Sequence, residues 1–207
     1  MASEDFRQTA TVVPSPPSAA ASEKALLRAE ARSRRKAFVA GLSQIERDHL
    51  EATLADLLQP WMKNANRVAG YHAVGSEIDP AALLSRARAW GHATALPAFD
   101  HADGPMIFRS GEAAEIGPHG IAQPPHSAKT IIPDLVLVPL LAVDRRGIRL
   151  GQGGGHYDRA LPALRAAGAT IIGIGWAMQL MDSDLPTEPW DVALDGFASP
   201  EGVMMWR

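Results

Sequence analysis

Cysteine is absent from the 207 residues. That excludes a disulfide framework, a thiol nucleophile and thiolate metal ligation, and it fits a reducing compartment such as the cytoplasm. No apolar run approaches the roughly 18 residues that a membrane span requires, so no membrane partner is expected. The first residues lack the basic start and apolar stretch of a signal peptide. An excess of one charge is missing too. Twenty Lys and Arg against 23 Asp and Glu leave a net charge of −3, which is no polycation built to coat nucleic acid. The seven histidines are scattered without an H-E-x-x-H or H-x-H pattern, so they suggest no zinc site. There is no G-x-S-x-G nucleophile elbow and no G-x-x-x-x-G-K-[ST] phosphate loop.

What is present is an ordinary globular composition, 46% hydrophobic and 21% charged, in a length suited to one domain. Glycine (18) and proline (16) are concentrated in particular places. Residues 1–21 are Ala, Ser, Thr and Pro with almost no periodicity and read as a disordered tail. Residues 22–207 read as a single domain, expected to be monomeric.

Ser22 is expected to cap a first helix running to about Ala40 before Gly41. Ser43 and Glu46 form a capping box for a second, with Leu50, Leu54, Leu57, Leu58 and Trp61 at helical spacing and Pro60 near its stop. Arg67–Tyr71 reads as a short strand, and Asp79–Pro80 opens a helix to about Trp90. Ala93–Pro97 and Met106–Arg109 read as strands, and residues 110–133 as a Gly-, Pro- and His-rich loop. Asp134–Pro139 is an apolar strand buried on both faces. A helix from about Tyr157 to Ala167 and a strand at Thr170–Gly175 follow. The alternation implies an α/β class with three α/β/α layers and a mainly parallel central sheet.

Between the apolar strand and the last helix lies Arg149–Leu150–Gly151–Gln152–Gly153–Gly154–Gly155–His156–Tyr157–Asp158–Arg159. Four glycines in five residues free consecutive amide N–H groups to turn toward an anion, next to a helix N-terminus that adds its dipole. Arg149 and Arg159 can add charge-assisted bonds to phosphate oxygens, and Asp158 is the oxygen ligand that a Mg²⁺ bridging phosphates wants. A plain strand–helix turn is the other reading of such a cluster. Upstream, Lys24, Arg28, Arg32 and Arg35 recur at helical spacing as a basic stripe, which is either a solvated face or a binding face.

The loop motif resembles the 5-formyltetrahydrofolate cyclo-ligase (5,10-methenyltetrahydrofolate synthetase) family. The resemblance extends to the basic first helix, the Tyr71–Ile78 turn, Gly120–Pro124, and Gly173 through Asp195, and so covers about residues 22–198. It implies a fold of the NagB/RpiA/CoA transferase-like architecture. It also implies ATP- and Mg²⁺-dependent cyclisation of 5-formyltetrahydrofolate, via a phosphorylated formyl oxygen, with release of ADP and phosphate. A non-catalytic folate- or nucleotide-binding paralogue of the same fold is the alternative.

By the same resemblance, Lys24, Arg28 and the loop from Arg149 to Tyr157 contact ATP. His72, Glu77 and Gln152 to His156 contact folate, and Asp158 with Asp191 holds Mg²⁺. Arg32 to Lys36 are left at the surface. Two positions depart from the family pattern: His156 stands where Tyr or Phe is usual, and Gln123 where glutamate is common.

Overall fold

A computed structural model of the chain describes residues 19–207, with side chains from residue 21 onward. The expected tail lies outside the described residues as far as residue 18. The first helix, α1 (Ala19–Ala40), is already helical at Ala19. Ser22 is therefore an exposed residue inside the helix and not its cap. Ala19, Ala20 and Ala21 have the strongest intrinsic preference for helix, which carries α1 past the serine.

Helix α2 (Gln44–Leu57) starts at the Ser43 capping box as expected. The Ser43 hydroxyl accepts from the Glu46 amide at 3.2 Å, and the Glu46 carboxylate accepts from the Ser43 amide at 2.8 Å. It ends at Leu58, and α3 (Gln59–Lys63) begins at once with Pro60 in its first turn. Pro60 thus opens a helix where a stop was expected, because a missing N–H costs nothing in a first turn.

The remaining elements are β1 (Arg67–Ala69), α4 (Ala81–Ala89), β2 (Ala93–Ala98), β3 (Ile107–Ser110), β4 (Glu115–Ile116), β5 (Ala122–Gln123), β6 (Leu135–Pro139), β7 (Ala142–Asp144), β8 (Arg149–Leu150), α5 (His156–Ala166), β9 (Thr170–Ile174), β10 (Leu180–Met181), β11 (Gly196–Ser199) and β12 (Gly202–Met205). Seven strands form the main sheet in the order β12-β11-β9-β6-β1-β2-β3. The pairs from β11 to β2 are parallel, and the edge strands β12 and β3 pair antiparallel. The chain is therefore α/β with a mainly parallel central sheet.

Strand β6 lies at the middle, and its apolar run is divided between two cores. Leu135 and Leu137 pack with Leu54, Met62 and Leu83 from α2, α3 and α4, whereas Val136 and Val138 pack with Leu161 and Leu164 from α5. Alternate side chains point to opposite faces, so a continuous apolar strand needs cover on both. Truncating Leu137 to alanine would cost about 2–5 kcal/mol.

Strand order reverses between β1 and β6: the chain builds outward through β2 on one side and through β9 and β11 on the other. In open parallel sheets ligands bind beyond the carboxyl ends of the strands at such a switch point. The segments that leave β1 and β6 here are Gly70–Pro80 and Leu140 onward into the hairpin of β7 and β8.

Candidate active site

At the switch point opens a cavity of about 1090 Å³. That is at the upper end of the range for ligand-binding clefts. Helix α1 runs along one wall, and its basic stripe contacts a different part of the site at each turn. Lys24 is buried and its Nζ lies 2.5 Å from Asp191 Oδ2 and 3.2 Å from Glu188 Oε2. Arg28 Nε donates to the carbonyl of Gly151 at 3.0 Å. One turn on, Arg32 Nη2 donates to Gln152 Oε1 at 2.9 Å. Arg35 is only 4% exposed and reaches Glu77. The expectation that Arg32 to Lys36 lie at the surface is thus corrected for Arg35, and Arg32, although exposed, lines the cavity. Arg34 and Lys36 are both exposed; Lys36 still lines the cavity, as Arg32 does, whereas Arg34 does not.

The glycine loop forms the second wall. It is fed by the β7–β8 hairpin, which turns around Asp144. That carboxylate is fully buried and accepts from the amides of Arg146, Ile148 and Leu185 and from the Arg146 guanidinium. Burial opposes its ionisation, but these donors prevail and hold it below the usual aspartate value. The hairpin brings Arg149 and Leu150 out on opposite faces of β8. Arg149 points to the cavity, donates from Nη2 to Asp158 Oδ1 at 2.6 Å and lies over the Tyr157 ring.

Leu150 does not line the cavity: its side chain is buried with Ala142 and Leu185 in a small separate core. Of the loop residues expected to contact ATP, it is therefore the one whose side chain does not face the cavity. Gly155, at φ +65°, is the N-cap of α5, a left-handed backbone that disfavours any side chain. The amide end of α5 therefore opens into the site, where its dipole favours an anion.

The β1–α4 connection supplies the third wall. Glu77 is buried, with Oε2 accepting from the Val74 amide at 3.0 Å and Oε1 from Gln152 Nε2 at 3.3 Å. His72 lines the cavity from an exposed position. Asp79 plays the expected helix-starting role by accepting from the Ala81 amide at 2.8 Å.

Opposite stands a wall absent from the sequence expectations, the hairpin of β4 and β5. It presents His119, whose ring packs 4.6 Å from those of both Phe99 and His156. His156 also lies edge-on to Phe99 at 4.8 Å. Partial burial draws the His156 pKa below the ordinary histidine value, and His119 and Arg159 add to the shift. Gln123 does not enter this ring cluster. Its amide donates to the Phe99 carbonyl at 3.1 Å and accepts from the Phe99 amide at 3.0 Å. A glutamine can do both at once, whereas an ionised glutamate only accepts.

Two buried polar atoms at the cavity, Nε of Arg149 and Oη of Tyr157, have no hydrogen-bond partner among the described residues. Burial holds the Tyr157 hydroxyl well above the usual tyrosine value, so it stays a neutral donor. Orphaned buried donors of this kind are costly unless something occupies the site.

The family model for 5-formyltetrahydrofolate cyclo-ligases matches residues 20–200. The chain belongs to that family. A cyclo-ligase from Mycolicibacterium smegmatis is 37% identical over 168 residues, which cover 74% of this chain and 86% of that protein. The cyclo-ligase of Escherichia coli K12 is 34% identical over 90 residues, 42% of this chain and 49% of that protein. The solution structure of a 5,10-methenyltetrahydrofolate synthetase from Aquifex aeolicus superposes with a TM-score of 0.73 at 25% identity, over 89% of this chain and 93% of that one. The synthetase from Mycoplasma pneumoniae shares the fold, with a TM-score of 0.67 at 24% identity over 86% of this chain and 99% of that one.

The residues singled out in the sequence for the cyclo-ligase reading therefore meet in one place, Leu150 excepted. Lys24, Arg28, His72, Glu77, Arg149, Gly151 through Asp158, and Asp191 all line the same cavity. Arg35, His119, Phe99, Glu188 and Trp190 line or brace it without having been singled out. For Arg35 the only signal was its place in the stripe; the others carried none that separates them from loop residues.

Asp158 and Asp191 fit a Mg²⁺ site by their chemistry. Both are carboxylates at the cavity, and their cationic partners engage Oδ1 of Asp158 and Oδ2 of Asp191. The described residues hold no group of three acidic or imidazole side chains that would cage a metal by themselves. Mg²⁺ is commonly bound by one or two carboxylates together with substrate phosphates, so two suffice.

Proposed function

We propose that the protein is an ATP-dependent ligase that closes 5-formyltetrahydrofolate to 5,10-methenyltetrahydrofolate, releasing ADP and phosphate. The observation that carries this reading is the union, in one cavity of a cyclo-ligase-family chain, of a phosphate-type wall and a buried carboxylate. The phosphate-type wall is the glycine loop with Lys24, Arg28 and Arg149. The carboxylate is Glu77, suited to accept from the N–H groups of a pterin ring.

The chemistry asks for positioning more than for a protein nucleophile. The formyl oxygen is a poor leaving group until it is phosphorylated. It attacks the γ-phosphorus of ATP, and the bond to the bridging oxygen breaks to release ADP. N10 of the folate then attacks the formyl carbon and loses its proton, and the C–O bond breaks to release inorganic phosphate as the ring closes.

Loop amides and the α5 N-terminus cradle the triphosphate, and Lys24, Arg28 and Arg149 neutralise the charge that builds on it. Asp158 and Asp191 are the residues that would hold Mg²⁺, which when bound supplies further neutralisation of the phosphates. Glu77, with Gln152, Gly153, Gly154, Gly155, His156 and His72 near it, fixes the folate so that its formyl oxygen faces the γ-phosphate. The rings of Phe99, His119 and His156, packed edge-on and tilted against one another, offer an aromatic corner to the same molecule.

No helix among the described residues is long and apolar enough to cross a membrane, and the lack of cysteine fits a cytoplasmic setting. Mixing the protein with 5-formyltetrahydrofolate and Mg-ATP should raise the near-UV absorption of the methenyl product, with one ADP formed per ring closed. Binding of both ligands without that band would refute the catalytic reading.

A further inference from the structure

Arg35 is the fourth cation of the α1 stripe, and the proposed reaction leaves it without a role. It is 4% exposed although its neighbours Arg34 and Lys36 are exposed. Burying a guanidinium is costly unless it is paired and hydrogen-bonded. Burial does draw its pKa below the ordinary arginine value, while Glu77 acts in the opposite sense.

Its bonds converge on the base of the site. Nε donates to Ser76 Oγ at 3.1 Å, and Nη1 donates to the Leu140 carbonyl at 3.2 Å. The same Nη1 stands 3.6 Å from Glu77 Oε1. Ser76 adjoins Glu77 in the connection after β1, and Leu140 directly follows β6. One side chain therefore ties α1 to the two strand ends that frame the switch point.

Other groups hold the surrounding backbone. Trp176 Nε1 donates to the Ser76 carbonyl at 3.0 Å, Tyr71 Oη to the Ile78 carbonyl at 2.7 Å, and Arg47 Nη2 to the Glu77 carbonyl at 2.8 Å. The Glu77 carboxylate itself receives neutral donors from Val74 and Gln152. Its ion pair among the described residues is with Arg35.

We propose that Arg35 is a positioning residue for the folate carboxylate contact. It fixes and neutralises Glu77, so that the acceptor oxygens are presented to the ring N–H groups of the substrate. This rests on the reading of the cavity as the 5-formyltetrahydrofolate site. Arg35 reaches the cavity with little exposed area, and the effect proposed for it passes through Glu77.

The test is a mutant cycle read in the KM of each substrate. Arg35→Gln should raise the KM for 5-formyltetrahydrofolate about tenfold or more, because it leaves a buried charge unpaired. The KM for ATP should stay within about twofold, since the two substrates use different contacts. Placed on Glu77→Gln, the same change should add less than about threefold, because residues acting through one contact do not add. Arg35→Lys, which keeps the charge, should recover most of the loss.

If Arg35→Gln does not fold, Ser76→Ala carries the same cycle. It removes the acceptor of Nε but no charge, and should cost about threefold in folate KM alone, an effect that vanishes after Glu77→Gln. Equal effects on both substrates, or full additivity with Glu77→Gln, would overturn the proposal and leave Arg35 a structural brace. A wild-type protein that forms no methenyl product would instead overturn the reading of the site itself, and Arg35's role with it. The two failures are therefore separable.

Discussion

The two ends of the cavity are built on opposite principles. At the Lys24 end, fixed charges and bare backbone dominate: glycine amides, a helix N-terminus, and carboxylates paired with Lys24 and Arg149. At the Glu77 end, one buried carboxylate accepts from the Val74 amide and the Gln152 side chain, with a single guanidinium paired to it. A polyanion is recognised by the sum of many moderate attractions. A flat heterocycle is recognised by a few directed bonds, so its acceptor must be held still. Helix α1 serves both ends because four residues on one face, Lys24 to Arg35, span about three turns.

Removal of Lys24 should break the contrast most severely. Lys24→Ala strips a buried pair of its cation and should lower kcat/KM by roughly 100-fold or more, which steady-state turnover would measure. A loss under tenfold would show that the charged end is only a brace. Asp158→Asn should follow, at roughly 30-fold, with the apparent Mg²⁺ requirement shifted upward in a magnesium titration. Chelating the metal with EDTA should abolish turnover of the wild type.

Third, Glu77→Gln should raise the folate KM by roughly 10–50-fold with ATP nearly unaffected. Gln123→Glu would sharpen the account of the aromatic wall. It sets a carboxylate oxygen against the Phe99 carbonyl and should cost about 1–3 kcal/mol, seen as a lower Tm in thermal unfolding.

The smallest effect concerns pH. His156 has a folded pKa below its unfolded value, so the unfolded chain takes up more protons between the two. Stability should therefore fall as pH drops below about 6.5, the unperturbed histidine value, through the folded pKa. His156→Phe should flatten that slope without changing Tm at pH 8 by more than a degree or two. An unchanged slope would place the proton uptake elsewhere.

Much of this fold was legible because some signals are local. The run Leu135 to Pro139 announced a strand covered on both faces, and Ser43 with Glu46 announced a helix start. The glycines from Gly151 to Gly155 announced a turn into a helix, and Gly155 caps α5. The rest depends on partners far along the chain. Strands β4, β5, β8 and β10 have two residues each, too few to show any period. Strands β11 and β12 lie past Gly175, where no element was expected.

Lys24 meets Asp191 across 167 positions, and Arg35 meets the Ser76–Glu77 corner across about 41, so the stripe spacing sets Arg35 apart from exposed Arg34 but names no partner. Leu150 shows the same limit from the other side: it sits in the loop motif, yet strand alternation turns its side chain into a small core.

Binding titrations of the two substrates, each on Lys24→Ala and Glu77→Gln, test the division of the cavity most directly. The account predicts a crossed result: Lys24→Ala weakens Mg-ATP and spares 5-formyltetrahydrofolate, and Glu77→Gln does the opposite, each by roughly tenfold or more. If both variants weakened both ligands equally, the cavity would not be divided in this way.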